Sequence, residues 1–124
     1  MILVDTSVWV DYLRAGEPRL SSALNAGSVC VHPFVLGELA CGNLRNRRSV
    51  MSLLGELPSV PVATETEALG FIENRALVGR GIGYIDVHLL ASAALSATAR
   101  LWTGDRRLAA VAAELNLLFS PTRP

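Results

Sequence analysis

A chain of 124 residues that is 51% hydrophobic and only 18% charged has enough apolar side chain to fill one core, which excludes a disordered segment. The 11 basic and 11 acidic residues cancel, so there is no whole-molecule basic field and any contact with nucleic acid must be local. A mean hydropathy of +0.39 is high for so small a body and reads either as several buried helices or as apolar surface left over for an oligomer or partner interface.

The elements follow in chain order. Ile2-Leu3-Val4 reads as a buried strand ending in Asp5. Thr6 to Arg14 reads as a helix, with Val8, Trp9 and Leu13 at helical spacing. Pro18 suits the first turn of a second helix over Arg19 to Ala26, closed by Gly27. Ser28 to Val31 is a second strand, and Pro33 opens a helix through Ala40 that Gly42 and Asn43 stop. Arg45 to Leu57 is helical. Val60 to Ala63 is a short extended piece that its proline restricts to an edge. Thr64 or Thr66 caps the next helix, which runs to Val78, and Gly79 to Gly83 is a loop. Tyr84-Ile85-Asp86 leads into a long helix ending near Thr98. Arg100 to Thr103 is a strand turned by Gly104-Asp105, Arg106 to Leu115 a helix, and Leu117 to Phe119 a last strand.

Strands alternating with helices imply parallel β-α-β units. The expected fold is α/β, a three-layer α/β/α sandwich with a four- or five-stranded, mainly parallel sheet, as one domain over residues 1–124.

Four acids recur at the places where such a fold gathers function. Asp5 and Asp105 each end a strand and open a helix, and functional groups of open parallel sheets collect outside the carboxyl ends of the strands. Asp86 opens a helix after the glycine-rich loop, and Glu38 sits in the helix that follows the second strand. Each Asp has a plainer reading as a helix cap. Glu38 has one too, in a buried pair with an arginine or in exposure on a helix face. Together they read as one site. Two like charges ~4 Å apart at an effective dielectric of ~20 repel by about 4 kcal/mol, so such a cluster calls for a cation. All-oxygen ligands select Mg²⁺ or Mn²⁺ over zinc. A carboxylate-held Mg²⁺ activates water and stabilises charge developing on a phosphodiester. Thr6, Ser7 and Thr103 stand beside the acids as supporting hydroxyls.

The opening ILVDTSVWVDYLR, the Glu of VLGELACG, the run GRGIGYIDVHLLASAAL and the closing ARLWTGDRRLAAVAAEL together resemble a PIN-domain protein, and more narrowly the VapC toxins of type II toxin-antitoxin pairs. The resemblance spans almost the whole chain and shows no departure at the acidic positions. It implies an RNA endonuclease using Mg²⁺ or Mn²⁺, with Asp5, Glu38, Asp86 and Asp105 as metal-binding catalytic acids and Thr103 as a supporting hydroxyl. It also implies a homodimer, a larger toxin-antitoxin assembly, and a VapB-like antitoxin whose C-terminal tail covers the acidic site.

All 11 basic residues are arginine, the residue suited to bidentate phosphate contact. Arg45, Arg47 and Arg48 form the densest cluster, and Arg80, Arg106 and Arg107 lie nearest the acidic motifs, so these six are the candidates for RNA phosphate contact; surface solvation is the plainer reading for each. His32 and His88 read as structural, because metal chemistry needs neither. Cys30 and Cys41 lack zinc spacing and read as buried free thiols. No signal peptide or membrane span is legible, so a soluble, cytoplasmic protein is expected.

Two rivals belong to other classes. A catalytically idle binding module conflicts with the intact acidic set. A phosphotransferase of the haloacid-dehalogenase type wants a second acid two residues after the first and a lysine, but position 7 is Ser and the chain has no Lys.

Overall fold

The computed structural model describes residues 1–121; the last three positions of the expected 1–124 domain lie outside the described residues. Strand β1 (Ile2–Val4) is flanked on both sides, by β2 (Val29–Cys30) and β3 (Arg100–Trp102), in the order β2-β1-β3. Both pairings are parallel, with Leu3 opposite Cys30 and Leu101 and with Val4 opposite Trp102. Leu3, Val4 and Leu101 are fully buried, which suits a parallel sheet covered by helices.

The sheet is narrower than the four or five strands expected. Only three strands form among the described residues, and each edge carries a single parallel bridge, Val31 to Ser59 and Leu101 to Leu118. The flanking pieces at Val60 to Ala63 and Leu117 to Phe119 run alongside without extending a ladder. At one edge Pro61 has no N–H to give.

Among the described residues seven helices surround the sheet: α1 (Thr6–Ala15), α2 (Pro18–Asn25), α3 (Pro33–Ala40), α4 (Arg47–Glu56), α5 (Glu65–Asn74), α6 (Tyr84–Leu95) and α7 (Arg106–Glu114). Helix α6 packs on β3 and α5, while α1 meets α3 and α3 meets α4. One contiguous core includes Leu3, Trp9, Leu20, Leu54, Leu90 and Leu108. Burying each Leu contributes about 1.5–3 kcal/mol.

Three helices are shorter than their sequence patterns suggest, each for a local reason. Helix α4 starts at Arg47, not Arg45, because Asn46 takes a left-handed conformation at φ 52°. Helix α5 stops at Asn74 because Ala76 is left-handed and the Leu77 N–H turns back to the Ile72 carbonyl, burying Leu77. Helix α6 stops at Leu95 because the Ser96 hydroxyl accepts from the N–H groups of Thr98 and Ala99. Of the two cysteines, Cys30 is buried as expected and Cys41 is exposed.

Candidate active site

The ladder between β1 and β3 continues one step past the strands, where the Asp5 N–H donates to the Trp102 carbonyl at 2.9 Å. That step sets Asp5 beside Thr103. The Thr103 hydroxyl donates to Asp5 Oδ2 at 2.7 Å, and the Ser7 hydroxyl donates to the same oxygen at 3.2 Å. Asp5 Oδ1 accepts from the Thr6 N–H at 2.7 Å, so Asp5 also caps α1. The cap and the site are therefore one residue and not alternatives. Asp5 is 8% exposed, a buried carboxylate among neutral donors.

The second shared strand end holds Asp105. Its N–H donates to the Thr103 hydroxyl, and its Oδ1 caps α7 by accepting from the Leu108 N–H at 3.0 Å. Between the two turns, the Gly104 N–H donates to the Ser7 hydroxyl at 3.0 Å.

Glu38 reaches the group from α3. It is exposed and not buried, and the Thr6 hydroxyl donates to its Oε1 at 2.7 Å. Exposure removes the burial cost weighed for this residue; what fixes it is Thr6. Asp86 stands in the first turn of α6 and reaches back to accept from the Gly83 N–H at 3.1 Å.

Asp86 feels the other three carboxylates. Burial pushes the Asp86 carboxyl above its ordinary value, the Gly83 hydrogen bond pulls it back, and the charges of Asp5, Asp105 and Glu38 push it up further. Among the described residues, the ion pairs are Arg14 with Asp11, Arg19 with Glu17 and Arg80 with Glu114, so none of the four acids has a basic partner. No three His, Cys, Asp or Glu side chains are already drawn together as around a metal ion, again among the described residues. The donor chemistry nonetheless fits one. Four carboxylates held by hydroxyls and amides, none paired with an arginine among the described residues, match a hard divalent cation such as Mg²⁺ or Mn²⁺.

The stretch that builds this arrangement, from β1 through the end of α7, coincides with a known family pattern: residues 2–114 match the model of the PIN domain. The chain belongs to the PIN-domain family. This PIN domain is 48% identical over 114 residues to Ribonuclease VapC32 of Mycobacterium tuberculosis strain CDC 1551 / Oshkosh, covering 92% of each chain. Identity and coverage are the same for Ribonuclease VapC32 of strain ATCC 25618 / H37Rv.

The arginines of this PIN domain divide into engaged and free. Arg47 donates to the carbonyls of Ala40 and Gly42 and so closes the end of α3. Arg80 pairs with Glu114 at 2.8 Å. The Arg107 side chain lies over Gly81, whose φ of +79° and missing Cβ leave room for it. Arg45, Arg48 and Arg106 are exposed.

The two histidines are interior. His32 is fully buried, and its Nδ1 accepts from the Phe34 N–H to cap α3. Burial, and then the neighbouring His88, hold the His32 imidazole down to about 4. His88 is 4% exposed and packs edge-on against Phe34 and Tyr84. Ser7 was legible only as a neighbour of the acids; its bond to Gly104 depends on β3 lying beside β1, which no local pattern reveals.

Proposed function

We propose that this chain is the toxin of a type II toxin-antitoxin pair, an Mg²⁺- or Mn²⁺-dependent endoribonuclease that cuts RNA phosphodiester bonds by hydrolysis. The reading is supported by Thr103 and Ser7 holding Asp5, by Thr6 holding Glu38, and by the absence of a basic partner for Asp5, Glu38, Asp86 or Asp105 among the described residues. The 48% identity to Ribonuclease VapC32 supports RNA as the substrate.

In this reading the four acids hold the divalent ion. When bound, the ion lowers the cost of deprotonating water and of charge developing on the phosphate. The remaining work belongs to the chain. Thr103 and Ser7 fix Asp5, and Thr6 fixes Glu38, so neither carboxylate loses rotamer freedom as the substrate arrives. The exposed Arg45, Arg48 and Arg106 meet phosphates that the acidic centre alone would repel.

The chain acts in the cytoplasm, where RNA is available, and no described helix is long and apolar enough to cross a membrane. Exposed Val10, Phe34, Leu53, Tyr84 and Ile85 offer apolar surface for a homodimer and a VapB-like antitoxin.

Cleavage of a defined RNA with Mg²⁺ or Mn²⁺ tests the chemistry. Asp5→Asn and Asp86→Asn should each abolish it while the circular dichroism spectrum stays native. Cleavage that persists in EDTA would sink the metal mechanism. Expression should arrest growth, and co-expression of the neighbouring small reading frame should restore it.

A further inference from the structure

A cavity of about 380 Å³ adjoins the acidic site, within the size range of small-ligand sites. Thr103 and Gly104 form part of its wall. Trp102 and Phe119 meet in it with ring centroids 5.4 Å apart, and the Arg19 guanidinium lies 5.8 Å over the Trp102 ring. Arg19 is not free to take an anion, because Glu17 grips it with hydrogen bonds of 2.9 and 3.0 Å. Asp11 is the third charged group in the wall, 66% exposed, with its Oδ1 accepting from Arg14. Asp11 pairs with Arg14 and Glu17 with Arg19, so each cation at the wall is already matched by a carboxylate. Among the described residues, a phosphate finds no free cation there. A flat, neutral group that donates hydrogen bonds is favoured.

We propose that this cavity is a subsite for one unpaired nucleobase of the substrate strand, stacked on Phe119 and Arg19 and read through its exocyclic amino group by Asp11. The inference rests on the ribonuclease reading above. Splayed bases stack on aromatic rings and guanidinium planes and are read along their edges. With the phosphate at the acids, an adjacent base meets the wall that Thr103 and Gly104 share with the site. Adenine, cytosine and guanine each carry an exocyclic amino group that a carboxylate accepts from; uracil has none, and its one edge donor, N3–H, is flanked by two carbonyl oxygens that Asp11 repels. A basic protein segment is the rival occupant, but Arg19 already holds the guanidinium position over Trp102.

The test uses fluorescent oligoadenylate, oligocytidylate and oligouridylate, with binding to the full chain read by anisotropy in EDTA at low salt. In parallel, a random-sequence RNA pool is cut with Mg²⁺ and its ends are sequenced. Oligouridylate should bind weakest, by roughly tenfold, and Phe119→Ala should weaken oligoadenylate binding by about tenfold. Asp11→Asn sits on an exposed side chain, so the fold tolerates it. Its carboxamide donates to a uracil carbonyl, so discrimination against uracil should vanish in binding and at one position beside the cut. Equal binding of the three RNAs by the unmodified chain overturns the proposal, as does an unchanged uracil bias in Asp11→Asn. If both variants bind RNA normally but escape inhibition by the antitoxin, the cavity belongs to that partner and the proposal fails. If the unmodified chain discriminates in binding yet cuts nothing, the subsite stands and the hydrolase reading falls.

Discussion

Thr103 and Asp5 are 98 residues apart in sequence, and a 2.7 Å hydrogen bond joins them. The donor is a hydroxyl on one strand end and the acceptor a buried carboxylate on the next. Thr103→Val keeps the shape and removes the donor. Cleavage should fall roughly 10–100-fold, the usual range for losing a group that orients a ligand. A titration of rate against Mg²⁺ should show weaker ion binding, while far-ultraviolet circular dichroism stays native. An unchanged Mg²⁺ requirement would mean that Thr103 only caps the turn.

Asp86 shows how the acid cluster strains the metal-free fold. Its carboxyl is raised above the ordinary 3.8 by burial first, then by Asp5, Asp105 and Glu38. The folded chain thus holds that proton more tightly than the unfolded chain, and ionisation costs stability as pH rises through the raised value. Asp86→Asn should therefore raise the metal-free Tm at pH 7 by roughly 2–4 °C. Below pH ~4, where the carboxyl is protonated in both states, the gain should vanish. Calorimetry at the two pH values, in EDTA, decides it.

Arg47 and Arg48 are adjacent but differently employed. Arg48 is exposed, whereas Arg47 ties the end of α3 through two carbonyls. Arg48→Ala should reduce the slope of log affinity against log salt by about 1 with no change in Tm. Arg47→Ala should cost about 1 kcal/mol of stability, because the carbonyls of Ala40 and Gly42 lose their donor. Equal salt slopes for the two variants would contradict this division.

His32 links the core to acid stability. Its imidazole falls from 6.5 to about 4 on folding, so between those values the unfolded chain takes up a proton that the folded chain refuses. The stability it contributes is intact above pH ~6.5 and drains away toward pH 4, on the order of 1 kcal/mol per pH unit. His32→Asn keeps an acceptor for the Phe34 N–H and should flatten that decline. Urea midpoints between pH 4 and 7 provide the measurement.

The strand and helix pattern was legible because the apolar runs and helix breakers are local. Pro33 to Ala40 shows it best, since both predicted ends coincide with α3. The positions of Asp5 and Asp105 just past β1 and β3 were legible for a related reason: a parallel sheet sends its strand ends to one edge. Helix ends were less legible. Asn46 and Ala76 stop or delay helices through left-handed backbone, which Asn tolerates without requiring it and Ala rarely adopts. The choice between burial and exposure for Glu38 stayed open as well, because it depends on how α3 lies against α1. The cavity at Trp102 and Phe119 was out of reach, since its walls come from both ends of the chain.

Strand β1 lies between two partners that follow it in the sequence, and the later one starts at Arg100. During synthesis Asp5 emerges early but must wait for Thr103, nearly a hundred residues behind, before its carboxylate is fixed. Such distant pairing also slows folding. A nascent chain still short of β3 thus has Asp5, Glu38 and Asp86 but neither Asp105 nor Thr103, and the ribosome that makes it is not exposed to a completed site.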